Sequence, residues 1–266
     1  MGIRITSIGS SSSGNSYLIR SEETTLLLDL GLSAKKIKEA LSQNNIEKKD
    51  VAGVLITHEH IDHVKSVRQI SKDCENATFF ASRGTIENSD KFDHVEEERI
   101  NYIQSGDSFA IGDIIVKAFE LSHDAVEPLG FSFSSGGDYL SVVTDTGIIT
   151  EEILLEMKKA NKLVFESNHE EQMLLMGPYP YDVKRRILSN HGHLSNVATG
   201  EVLAEVLSSH CEQFGQLQIM LAHLSDTNNT AYQARITVCD ILREAGFENN
   251  RDYSITVAAK EGITEL

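Results

Sequence analysis

The stretch that most constrains this chain runs from Asp50 to Arg68 and reads Asp-Val-Ala-Gly-Val-Leu-Ile-Thr-His-Glu-His-Ile-Asp-His-Val-Lys-Ser-Val-Arg. Val51 to Ile56 is a short apolar run with β-branched residues, which reads as a buried strand. Thr57 opens a polar turn in which His58, Glu59, His60, Asp62 and His63 crowd three imidazoles and two carboxylates together. An amphipathic helix follows over Val64 to Ile70. Such a cluster at the end of a buried strand is costly unless something neutralises it, and a divalent cation does so. His58 and His60 project the same way from a near-extended turn, while Asp62 and His63 reach a second point beyond it. The pattern implies two adjacent metal positions rather than one.

The rest of the composition limits what surrounds that cluster. The chain has 266 residues, three prolines and 40% hydrophobic residues, enough for a real core and with no linker to divide it, so a single domain over 1–266 is expected. No apolar run approaches the roughly 20 residues of a membrane span, and the amino terminus lacks a signal-peptide pattern. Cys74, Cys211 and Cys239 are scattered, with no Cys-x-x-Cys, which argues against a disulfide framework and for a reduced, cytoplasmic protein. A formal charge of −16 argues against a generally basic nucleic-acid surface. A local basic patch and bound cations can still hold phosphate on an acidic protein.

Taken in order, Ile3 to Ile8 alternates as a strand, Ser10 to Ser16 turns the chain, and Tyr17–Ile19 pairs with Thr24–Leu28 as a hairpin. Ser33 caps a helix over Ala34 to Leu41. Beyond the metal motif, strands are expected at 77–81, 99–103, 108–110 and 114–121, with a helix at 83–88. Leu129–Ser134 and Tyr139–Thr144 flank Gly136-Gly137-Asp138, a hairpin signal. Thr150 caps a helix to Lys159, then come a strand at 163–165 and helices at 181–188 and 195–208. A strand at 217–222, a helix at 228–245 and a strand at 254–258 complete the chain. Strands that first meander and then alternate with helices predict an α/β (α+β) protein of two packed sheets with helices on the outer faces. Metal ligands beyond the turn should lie at strand ends, where His123, Asp145 and His223 all fall.

His-x-His-x-Asp-His after a strand and before a helix is the signature of the metallo-β-lactamase superfamily, which this chain resembles from its first strand to its last. The resemblance implies a four-layer αββα sandwich with metals at one edge. It implies that His58, His60 and His123 hold one ion and Asp62, His63 and His223 the other, with Asp145 bridging them. An aspartate at 145 suits two hard or borderline cations, zinc or manganese, whereas a cysteine would suggest the true β-lactamase branch. Two such ions lower the pKa of a shared water and supply hydroxide at neutral pH. Asp62 is expected to orient or deprotonate that nucleophile while remaining a ligand, and Glu59 to cap the helix.

The residues between the ligands narrow the branch. Glu166-Ser-Asn-His169 followed by Gly192-His193-Leu-Ser195-Asn196 resembles RNase Z and its phosphodiesterase relatives. There His193 corresponds to a histidine that contacts the scissile phosphate and protonates the leaving oxygen, and Glu166 to the carboxylate that orients it. Gly9 to Ser16, Ser122-His-Asp-Ala125 and Tyr179-Pro180 with Lys184-Arg185-Arg186-Ile187 resemble the WalJ/YycJ-type metallohydrolases, a group associated with exonuclease activity on DNA. The chain lacks the Gly/Pro/Lys-rich arm of true RNase Z and the inserted domain of the β-CASP nucleases, so nucleic acid must bind on the compact body. Lys184 and Arg185, with Arg186 and Ser195, are the substrate-binding candidates.

The expectation is a dinuclear metal-dependent phosphodiesterase, foremost a DNA exonuclease. The alternatives are a small-molecule hydrolase acting on a cyclic phosphodiester or lactone, an RNA-processing nuclease, and a non-catalytic metal-stabilised interaction protein.

Overall fold

The computed structural model of the chain describes residues 2–210 and 215–266. Cys211 lies outside the described residues; Cys74 and Cys239 carry free thiols, and burial pushes the Cys74 thiol up to about 11. The chain forms two compact units, one comprising residues up to Glu120, 125–137 and 259–265, the other 121–124 and 138–258.

In the first unit β1 (Arg4–Ser11), β2 (Gly14–Arg20) and β3 (Thr25–Leu28) run antiparallel. After α1 (Ala34–Gln43) the sheet continues in parallel with β4 (Val51–Leu55). The helices α2 (Ile61–Val64) and α3 (Val67–Asp73) then lead to β5 (Thr78–Ala81), and α4 (Arg83–Glu87) leads to β6 (Ile100–Tyr102). Parallel neighbours with helical connections are buried on both faces, which is why Val51 to Ile56 reads as a continuous apolar run. On one face Leu18, Leu27, Val54 and Phe79 share a core with Ile37 and Leu41 of α1 and Val67 and Ile70 of α3. The other face meets the antiparallel meander β7 (Ser108–Ile111), β8 (Ile114–Glu120) and β9 (Leu129–Ser135). There Phe80 stacks on Phe109 with ring centroids 5.0 Å apart.

The second unit is a run of parallel strands, β10 (Asp138–Val143), β11 (Lys162–Glu166), β12 (Leu217–Ala222) and β13 (Tyr253–Val257). Its crossovers are α5 (Glu151–Lys159), then α6 (Glu171–Met176), α7 (Tyr181–Ile187) and α8 (Asn196–Ser208), then α9 (Ala231–Glu244). Because these strands are parallel, their carboxyl ends fall on one edge, where open α/β sheets bind ligands. The chain finally returns to the first unit as β14 (Thr264–Glu265), which pairs with Thr6 and Ser7 of β1.

Most expected elements are present within a residue or two, and Ser33 and Thr150 do cap α1 and α5 by accepting the Lys36 and Ile153 N–H groups. Five features differ. Ser10 to Ser16 is mostly strand, because Ser10 Oγ bonds Asn15 Oδ1 and the Tyr17 hydroxyl, each at 2.8 Å, and so satisfies its buried hydroxyl inside the hairpin. The helix expected from Val64 starts at Ile61 and breaks at Ser66, whose N–H and hydroxyl both go to the Leu30 carbonyl. The helix expected from Asn228 starts at Ala231, since Asn229 Nδ2 is spent on the Ser167 and Asn168 carbonyls. Helix α6 and the two-residue β14 were not anticipated. No helix among the described residues is long and apolar enough to cross a membrane.

Candidate metal centre

The first unit's cluster is built on the parallel pairing of β3 with β4, which sets Leu28 opposite Leu55 and so brings Asp29 beside Thr57. Asp29 adopts a left-handed backbone with φ of 58°, a conformation that costs a non-glycine residue about 1–3 kcal/mol. The turn aims its carboxylate into the cluster. Oδ1 accepts the Thr57 N–H at 2.9 Å, and Oδ2 lies 2.8 Å from His63 Nδ1 and 3.0 Å from the Thr57 hydroxyl. An ionised carboxylate only accepts, so His63 carries its proton on Nδ1 and Thr57 donates to Asp29. The Thr57 oxygen is then the acceptor for His58 Nδ1 at 3.0 Å. Both Nε2 atoms are thereby left as lone-pair donors, the state a metal requires. His63 Nε2 lies 3.5 Å from Asp62 Oδ2. The His58 ring centroid is 4.1 Å from that of His63 and 4.6 Å from that of His60.

The second unit assembles its cluster from five separate stretches. Asp145 and His223 follow β10 and β12 in the same left-handed conformation as Asp29, with φ of 60° and 55°. Glu166 ends β11, fully buried, and is the hub. Its Oε1 lies 2.8 Å from both His193 Nδ1 and His223 Nδ1, while Oε2 accepts the Thr146 and Leu194 N–H groups. Burial alone would raise this carboxyl, but His193 and His223 outweigh it and hold it well below the usual carboxylate range. His223 Nε2 faces Asp145 Oδ1 at 3.3 Å. His123 Nδ1 donates to the Gly192 carbonyl at 3.3 Å, and burial pushes its imidazole down to about 4, so it is neutral at pH 7. Donor atoms of Asp145, Glu166, His193 and His223 all lie within 4.8 Å of one another.

The remaining candidates divide. Glu59 does not cap α2 but accepts the Val126 N–H at 2.9 Å, because α2 begins with His60 in the cap position. Lys184 spends its ammonium on the Leu175 and Gly177 carbonyls, and Arg186 pairs with Asp124. Arg185 is exposed. Ser195 caps α8 by accepting the Ala198 N–H and donates to Glu171. His169 is buried, makes no side-chain hydrogen bond among the described residues, and is pushed down to about 4 by burial. Sequence reasoning passed over Asp29 and Thr57, which orient His63 and His58; the one available signal was an aspartate closing a strand just before Gly31.

In their donor chemistry these clusters fit borderline divalent ions: imidazoles, several with Nδ1 held by an oxygen, and carboxylates at strand ends. The strand-end histidines and aspartates define a protein of the metallo-β-lactamase-fold class. The structure is similar to the metallo-β-lactamase fold protein YhfI from Bacillus subtilis, with a TM-score of 0.73 at 15% identity over 100% of both chains. Residues 24–210 match the model of the beta-lactamase superfamily domain. The exodeoxyribonuclease YycJ of Bacillus anthracis is 35% identical over 96% of this chain and 95% of its own. The exodeoxyribonuclease WalJ of Streptococcus pneumoniae serotype 2 is 31% identical over 100% of this chain and 98% of its own. The chain belongs to the beta-lactamase superfamily and, within it, to the family of YycJ and WalJ.

Proposed function

We propose that this chain is a dinuclear metal-dependent phosphodiesterase that shortens DNA as an exonuclease. The observation that carries the proposal is the shared tautomer: His58, His63, His123 and His223 each engage Nδ1 with an oxygen, which leaves Nε2 as the lone-pair nitrogen in all four. Four buried imidazoles prepared in the same sense suit ligation rather than packing. His58, His60 and His123 would hold one ion, Asp62, His63 and His223 the other, and Asp145 would be shared. Two divalent ions, zinc or manganese, would neutralise the phosphodiester and acidify a water for attack.

The chain's own groups do the rest. Asp62, in the first turn of α2, takes the proton of the attacking water. His193 donates a proton to the leaving oxygen from Nε2 while Glu166 stabilises the imidazolium through Nδ1, a contribution typically worth about 10²–10⁴ in rate. The names and full-length similarity of YycJ and WalJ support DNA as the polymer. Arg185 remains the helix α7 cation best placed to meet a phosphate, because Lys184 and Arg186 are otherwise engaged.

The test measures metal content and turnover on end-labelled duplex DNA, single-stranded DNA, RNA and bis(p-nitrophenyl) phosphate, with Asp62→Ala and His193→Ala beside wild type. Two ions per chain and progressive shortening of DNA, lost in both variants, is the expected result. The charge of −16 favours a second reading, a small-molecule phosphodiesterase. Turnover of the small diester with every nucleic acid left intact would establish that reading and reject the first.

A further inference from the structure

Beside the first cluster, within the same unit, lies a cavity of about 280 Å³ whose walls include Ser11, Ser13, Ser33, Lys36, Lys65 and Lys260. It is roomy enough for a tetrahedral anion with several waters, each of which takes up roughly 30 Å³ in the liquid. Four distant stretches build it, and they approach closely because glycine permits it. A Cβ on Gly31 would stand 1.5 Å from the Asp62 carbonyl oxygen, and one on Gly9 would stand 2.8 Å from that of Lys260.

The charge at this place runs against the rest of the chain. With 40 acidic residues against 24 lysines and arginines, several cations elsewhere are taken up by carboxylates, as Lys38 and Lys48 are by Asp73, Lys158 by Glu205 and Lys162 by Asp138. Here three lysines line one space, and the one carboxylate residue in its wall, Glu261, is engaged by Lys36 at 3.0 Å. The Lys65 ammonium has no ion pair or hydrogen bond among the described residues. Ser33 Oγ accepts the Lys36 N–H, so its own proton remains for donation, and Ser11 and Ser13 add two hydroxyls 3.1 Å apart. Cations and hydroxyl donors around an open polar space select a phosphate-like anion.

The cavity adjoins the candidate ligands. Lys65 follows His63 by two residues, Gly31 packs on Asp62, and Gly14, also in the wall, precedes Asn15, whose Nδ2 is 3.3 Å from His63 Nε2. We propose that this cavity is a phosphate subsite that holds a non-scissile phosphate of the nucleic-acid strand next to the one being cleaved. This rests on the nuclease reading above. It also gives an acidic protein a local means of gripping a polyanion without a basic surface.

The experiment compares wild type with Lys65→Ala, Lys260→Ala and the double variant, all at exposed positions, with thermal unfolding as a fold control. Kinetics are measured on single-stranded DNA with either terminal phosphate present or removed, and on bis(p-nitrophenyl) phosphate. Binding of the same oligonucleotides is followed by fluorescence anisotropy in chelator, so that it does not depend on turnover. Each lysine removed should raise KM for DNA roughly tenfold and make the salt dependence of binding shallower by about 0.7 in the log–log slope. kcat on the small diester, which has no second phosphate to place, should keep its wild-type value. If the effect vanishes when a terminal phosphate is removed, the subsite holds a chain end; if it persists, it holds a backbone phosphate. DNA kinetics and binding unchanged in the double variant would overturn the subsite, as would a parallel fall on the small diester. Absence of DNA turnover in wild type would instead defeat the nuclease reading, and the anisotropy arm would still decide the subsite, an equal affinity of wild type and double variant rejecting it.

Discussion

The two clusters solve the same problem by different means. In the first unit the turn from His58 to His63 brings four candidate ligands from one short segment, and a single outside group, Asp29, fixes His63 directly and His58 through Thr57. In the second unit the candidate ligands Asp145 and His223 follow two strand ends and His123 sits in a loop, and Glu166 holds two imidazoles and two backbone N–H groups at once. Each cluster is therefore organised by one buried carboxylate that is not among the proposed ligands. The local cluster has its backbone to preserve its geometry, whereas the dispersed one depends on its hub. Damage to Glu166 should accordingly exceed equivalent damage to Asp29.

Glu166→Ala gives the largest expected effect. It strands two imidazoles and two amides in a fully buried site, so unfolding stability should fall by about 4 kcal/mol and kcat by roughly 10³ or more. Glu166→Gln, which preserves volume, should regain most of the stability and little of the rate. Equal rates for the two variants would mean that the hub acts only by filling space. Asp29→Asn comes next: the amide oxygen still accepts one hydrogen bond, and metal affinity should fall by about 10–100-fold, as for the loss of other groups that orient ligating histidines. Metal titration with calorimetry checks it. An Asp29 variant more damaged than its Glu166 counterpart would break the comparison.

The same contrast governs what the sequence revealed. His58, His60, Asp62 and His63 were readable because their spacing is itself the motif. His123, Asp145 and His223 needed a resemblance and the rule that ligands gather at strand ends. Asp29 was invisible because its partner His63 is 34 positions away and only the β3–β4 register joins them. The second hydrogen bond of Glu166, to His223, likewise follows from β11 and β12 being adjacent and parallel. Lys184 shows the opposite case: a basic triplet on an exposed helix suggested substrate contact, and its spacing did not reveal that the Leu175 and Gly177 carbonyls accept from that ammonium. Helix α6 carries too short a pattern to be seen, and β14 exists only because β1 offers it an edge.

Two glycines give a finer comparison. A Cβ on Gly31 would meet the Asp62 carbonyl at 1.5 Å, and a Cβ on Gly192, next to His193, would meet the Ile187 carbonyl at 2.1 Å. Either substitution to alanine forces backbone to move, at a cost on the order of 3 kcal/mol. Gly31→Ala should displace the Asp62 turn and weaken metal binding along with turnover. Gly192→Ala should shift His193 and the carbonyl that holds His123, lowering kcat more than metal content. Indistinguishable metal-to-kcat ratios in the two variants would argue that the clusters are not separately supported.

The smallest effect supplies the baseline against which the others are judged. Asp73 lies outside both clusters, at the end of α3, where Lys48, Lys38 and Gln69 contact its carboxylate. Partial burial alone would raise this carboxyl, but those contacts outweigh it and bring it down to about 2. Because the folded carboxyl titrates below its unfolded counterpart, its contribution is complete above about pH 4. It drains away as pH falls through 2. The lysine partners are partly exposed, so the contribution should be no more than about 1 kcal/mol. Asp73→Asn should therefore lower stability slightly at neutral pH and flatten the acid limb of the stability curve between pH 4 and pH 2. Metal content and kcat should stay at wild-type values. Denaturant unfolding across that pH range checks the first part, and a metal assay at pH 7 the second. If Asp73→Asn also lowered metal content, the losses in the Asp29 and Glu166 variants could no longer be assigned to their histidines, since a remote carboxylate of the same charge would have done as much.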